Sequence, residues 1–230
     1  MAKPPRVRSS TGDIDKFLSR SKTLAERAAS GARLLFAIDA TASRQATWDR
    51  ACQLQGEMFM ATRNLGGLSV QLCYYRGINE LRASKWLVDE TALLNQMSRV
   101  RCEDGLTQIE RLLNHALLEH RKEAVKAAVF IKDACEEMPD RVLAKAGELG
   151  LAGLPLFLFQ EGHDGAVESV FRKMAQLTGG AWARFDQRSA AELAALLGAV
   201  ARYAAAGKRG MLEHGGADDG GVKLLLEQLK

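Results

Sequence analysis

The stretch RLLFAIDATAS (residues 33–43) decides how the rest of this chain is read. Five apolar residues in a row, Leu34 to Ile38, run straight into Asp39, and hydroxyls follow at Thr41 and Ser43. An apolar run without alternation is what a strand covered on both faces requires. Behind it, ATWDRACQLQGEMFMATRN (46–64) places apolar residues at three- and four-residue steps, the spacing of one helix face. A covered strand that stops on a carboxylate and gives way to a helix is the opening unit of a parallel α/β sheet.

The same alternation continues outward. LSVQLCYYRG (68–77) reads as a second strand, and the polar NELRAS (79–84) as a short strand at a sheet edge. Helices are expected over DETALLNQMSRV (89–100) and QIERLLNHALLEHR (108–121), separated by the loop RCEDGLT. AVKAAVFIKDA (124–134) and LPLFLFQEG (154–162) are again nearly continuous in apolar residues, and AWARFD (181–186) closes the strand set. RVLAKAGELG, GAVESVFRKMAQLTGG and the alanine-rich SAAELAALLGAVARYAAAG supply the intervening and final helices. The fold class is therefore α/β: a Rossmann-like, doubly wound, mostly parallel sheet of about six strands with helices on both faces. Three segments are expected: an N-terminal arm and helix (1–31), the α/β domain (32–206), and a flexible linker with a short amphipathic end (207–230).

Composition narrows the function classes. The 230 residues, 47% of them apolar, are enough for one sizeable core. A net charge of +4 with both signs mixed along the chain lacks the one-sided basic surface of a nucleic-acid binder. Lys3, Arg6 and Arg8 form a basic arm that reads as a solvated tail. No apolar run suggests a membrane span or a secretion signal. Cys52, Cys73, Cys102 and Cys135 show no C-x-x-C pair, so they read as reduced thiols of a cytoplasmic protein. Neither a G-x-x-x-x-G-K-[ST] stretch nor a G-x-G-x-x-G after the first strand is present, which argues against nucleotide binding.

Chemistry gathers at the carboxyl ends of strands, where ligands bind in open α/β sheets. Asp39 ends the first strand with Thr41 and Ser43 beyond it, Asp133 ends the FIKDA strand, and Thr107 sits where the CEDGLT loop enters a helix. Two carboxylates and three hydroxyls make a hard-oxygen set suited to Mg²⁺ or Mn²⁺. Each also has a plainer role: the hydroxyls as helix caps, Asp133 as an acceptor for loop amides.

On these residues the chain resembles the von Willebrand factor A (VWA) domain family. DATAS is similar to its D-x-S/T-x-S signature, DGLT followed by QIERLLNHAL to its threonine loop, and FIKDA to the strand with its second aspartate. MAQLTGGAWARF is similar to its closing helix, glycine pair and strand, so the likeness spans about residues 32–206. The resemblance implies a metal-ion-dependent adhesion site (MIDAS) built from Asp39, Thr41, Ser43, Thr107 and Asp133. It also implies a protein partner whose Asp or Glu completes the shell of a magnesium or manganese ion, and a role in binding and not in catalysis. Departures are Thr41 for the commoner serine, Ala134 where many members have glycine, and Leu106 within a usual glycine pair.

Two other readings compete. A phosphotransferase with Asp39 as nucleophile would need an acid two residues on, where Thr41 stands. A metal-free scaffold that keeps the fold alone is the second.

Overall fold

Parallel pairing follows from the apolar runs, because strands covered by helices on both faces need no polar side. The computed structural model describes residues 31–185, 190–214 and 220–229. Among them, β1 (Ala32–Asp39), β2 (Leu68–Arg76), β3 (Glu80–Ala83), β4 (Val125–Lys132), β5 (Leu156–Glu161) and β6 (Ala181–Phe185) form one sheet. The strand order is β3-β2-β1-β4-β5-β6, parallel throughout except for the antiparallel edge strand β3. The expected α/β class and the polar edge strand are both found. The basic arm and the helix expected before residue 31 lie outside the described residues.

Side-chain alternation divides the core in two. Leu34, Phe36 and Ile38 of β1 face one layer with Trp48, Met58, Leu193 and Leu197, while Leu35 and Ala37 face the other with Leu112, Phe130, Phe171 and Met174. The first layer is made by α1 (Gln45–Leu54), α2 (Gly56–Thr62), α3 (Glu90–Met97) and α7 (Ala190–His214); the second by α4 (Ile109–Lys122), α5 (Pro139–Leu151) and α6 (Gly165–Thr178). Caps fall where polar residues precede the helices: Asp89 accepts the Ala92 amide and Asp164 accepts those of Ala166 and Val167.

Two expectations need correction. The single helix expected over 46–64 is a 3-10 turn (Ala42–Arg44) followed by α1 and α2, which meet at Gln55. The flexible linker expected from residue 207 is helical as far as His214. There α7 breaks only at Ala206 and Gly207, whose φ of +67° suits glycine, and Met211 beyond the break is buried. Glycine-rich composition suggested a loop, but burial of Met211 holds the segment in place.

The end of the chain, α8 (Gly220–Leu226), then packs back with Val222, Leu225 and Leu229 in the core. Each such burial contributes about 1.5–3 kcal/mol. Finally, α7 is long and apolar enough to cross a membrane, with a mean hydropathy of 1.2. Its Leu193, Leu196, Leu197, Val200 and Ala201 lie in the protein core, which accounts for the apolar character.

Candidate functional site

Strand register builds the site. Asp39 pairs with Tyr75 across β1 and β2, and Ile38 pairs with Ile131 across β1 and β4, so Asp39 is level with Lys132. Alternation sends Tyr75, Asp39 and Lys132 to the same face, the one covered by α4, α5 and α6. Three polar side chains on adjacent strands therefore meet at the carboxyl end of the sheet, under cover.

What they form is an ion pair. Lys132 Nζ donates to Asp39 Oδ2 at 2.6 Å, and the two side chains are only 1% and 2% exposed. The other oxygen, Asp39 Oδ1, accepts the Thr41 amide at 2.8 Å. The ammonium also stands 5.1 Å from the centre of the Tyr75 ring, in range for a cation–π contact. Burial, with Asp39 and other carboxylates nearby, holds the Tyr75 phenol well above its ordinary pKa, so it stays neutral. Its hydroxyl is buried with no hydrogen-bond partner among the described residues.

A second cation serves the other carboxylates. Arg44, on the 3-10 turn just beyond Ser43, is buried, and its Nη1 lies 3.1 Å from Asp133 Oδ2. Its Nη2 donates to Glu161 at the end of β5, and the Thr47 hydroxyl donates to the same oxygen. Two basic side chains thus face three carboxylates, and the half-exposed Asp133 is the one in touch with solvent.

Each of the five expected ligands has its own setting among these partners. Asp39 and Thr41 are joined through the Thr41 amide, but the Thr41 hydroxyl caps nothing. Ser43 is exposed. Thr107 bonds across to the loop after β4: its amide donates to Glu136 Oε2 at 3.0 Å, and its hydroxyl accepts the Glu136 amide at 3.2 Å. Asp133 is held by Arg44. Among the described residues no group of three or more His, Cys, Asp or Glu side chains could hold a metal ion.

These residues do not fit a divalent ion. Both oxygens of Asp39 are engaged, one by a full positive charge. Two unit charges 4 Å apart at an effective dielectric of 20 repel by about 4 kcal/mol, and a dication beside an ammonium by about twice that. The carboxylate that would attract the metal is already neutralised.

Sequence reasoning missed Lys132, Arg44, Glu161 and Glu136. The signal for Lys132 was present: a lysine inside a strand otherwise apolar enough for full burial needs a buried partner. Trp48 is fully buried, with its indole N–H on the Met97 carbonyl.

The rim is stitched together by backbone. Leu106 N donates to the Gly77 carbonyl at 3.1 Å, and a Cβ on Gly105 would lie 2.4 Å from Gly77 backbone atoms, so only glycine permits this approach. Glu137 accepts the amides of Ile109 and Glu110, which fills the start of α4 with a carboxylate. Glu103, on the loop of Gly105 and Leu106, pairs with Arg76.

Solved structures share this architecture. The chain is similar to the pilus adhesin SpaC from Lactobacillus rhamnosus GG in its open conformation, at 10% identity over 78% of this chain, with a TM-score of 0.61. It spans only 30% of that adhesin. It is also similar to the SpRpn10 VWA domain, at 10% identity over 67% of this chain and 88% of that one, with a TM-score of 0.54. A third is the vWF domain of the type V pili tip protein Mfa5 from Porphyromonas gingivalis, at 10% identity over 75% and 94%, with a TM-score of 0.54. No family model matches the sequence, and no curated protein does. At such identity the likeness concerns the fold, and the fold is that of a VWA domain.

Proposed function

We propose that this chain is a protein-interaction module of the VWA type that binds its partner at the carboxyl end of the sheet, without a divalent ion. The observation that carries the reading is an apolar rim. Ile78, Leu106 and Met138 are 73%, 55% and 66% exposed, on the loops that follow β2, α3 and β4, which are hydrogen-bonded to one another through residues 77, 106, 107 and 136. Large apolar side chains grouped on an ordered rim mark a contact surface better than the same residues scattered singly.

A partner carboxylate bridged by magnesium or manganese would first require Asp39 and Asp133 to leave their cations. Docking without a metal needs no such rearrangement, because Lys132 and Arg44 already answer those carboxylates. Asp39, with both oxygens engaged, is neither a free nucleophile nor a free base, which favours binding over catalysis. Four free thiols suit a reducing compartment, and we assign the module to the cytoplasm.

Affinity capture of the tagged full chain from its own cells, quantified by mass spectrometry, tests this. Leu106→Asp combined with Met138→Asp is expected to lose the partner at least tenfold, the factor given by about 1.4 kcal/mol, while chelator leaves capture unchanged. Retention by the double variant, or release by chelator, would sink the reading.

A further inference from the structure

We infer that the Lys132 ammonium is the resident cation of this site, standing in for a divalent ion and masking a latent metal site around Asp39. The inference rests on the metal-free half of the reading above and is independent of where the partner docks.

The first support is geometry. Lys132 and Asp39 project from adjacent strands at the same level of one face, so sheet hydrogen bonds hold them together at 2.6 Å. At 1% exposure the lysine cannot swing into solvent, as a surface lysine does to release its partner.

The second is the surroundings of the charge. One side of the ammonium meets a carboxylate and the Tyr75 ring lies 5.1 Å away. An aromatic face attracts an ammonium but is a poor substitute for the oxygen ligands that a small dication demands. The pocket is built for the lysine.

The third is what lies beyond Asp39. The Thr41 hydroxyl does not cap the 3-10 turn it precedes, and Ser43, inside that turn, is exposed. Removal of the ammonium and its four-carbon stem would leave a buried anion and space where the charge had been. A buried, uncompensated carboxylate must find a cation or a proton. Manganese offered from solution can supply that cation.

The test compares the chelator-treated full chain with Lys132→Ala, Lys132→Met and the double variant Asp39→Asn/Lys132→Met, by thermal unfolding and by loss of the free Mn²⁺ electron paramagnetic resonance signal. The wild type is expected to take up no Mn²⁺ and to shift by less than about 1 °C. Either single variant is expected to bind one equivalent and to melt about 5–10 °C higher at 100 times its dissociation constant. The double variant, which lacks both charges, is expected to fold and to ignore the metal.

Mn²⁺ uptake by the wild type that disappears in Asp39→Asn would overturn the metal-free reading itself. A single variant that folds yet ignores Mn²⁺, or two single variants that cannot be refolded even in Mn²⁺, would overturn the stand-in role and leave the metal-free reading intact.

Discussion

Two lysine–carboxylate pairs in this molecule have the same length and opposite settings. Lys132 meets Asp39 at 2.6 Å with both side chains almost fully buried. Lys122 meets Glu119, also at 2.6 Å, but the lysine is 70% exposed. Glu119 has neutral donors in reserve, the Gln71 amide and the Trp86 indole N–H, whereas among the described residues Asp39 has only the Thr41 amide. Distance therefore says little about what a pair is worth. Access to solvent decides whether water can replace a lost partner.

Mutation of each lysine sharpens the contrast, and the largest effect belongs to the buried pair. Lys132→Ala, measured by denaturant unfolding in chelator, is expected to lose about 3–5 kcal/mol, because it strands a buried anion. Asp39→Asn/Lys132→Met should recover most of that loss, since neither charge then needs a partner. A single-variant loss below about 1 kcal/mol would mean that water reaches Asp39, and the comparison would break.

Lys122→Ala is expected to cost less than about 1 kcal/mol, and less still in high salt. The smallest effect concerns His115, on the same helix as Glu119, whose Nε2 lies 2.9 Å from Gln71 Oε1. Burial, opposed in part by Glu119, lowers its pKa from the usual 6.5. The unfolded chain therefore takes up the proton first on acidification. The contribution is complete above pH 6.5 and is lost as pH falls through the lower folded value. His115→Gln should flatten the dependence of melting temperature on pH in that window; an unchanged slope would show that the imidazole is not held neutral.

Much of the fold was legible because burial leaves its mark in the chain itself. Leu34 to Ile38 and the apolar stretch before Lys132 announce central strands, and the polar NELRAS announces an edge. Asp39 and Asp133 could be placed at strand ends for the same reason. Their partners could not. Lys132 lies 93 residues from Asp39 in sequence, and Glu161 lies 117 from Arg44. The lysine of FIKDA signals burial by its apolar strand, but only strand register shows that the carboxylate it meets is Asp39. Glycine in KRGMLEHGG likewise suggested a linker, although Met211 is buried.

The sequence alone determined the strands, their alternation with helices, and the end of the sheet where polar chemistry collects, because these follow from local periodicity and from where apolar runs stop. Only the tertiary structure decided which charge answers which. Pairing across a parallel sheet is set by the register of strands joined through long crossovers, and no local pattern encodes it. Register here places an ammonium against Asp39 and a guanidinium against Asp133, and so turns an oxygen-rich signature into a site with cations of its own.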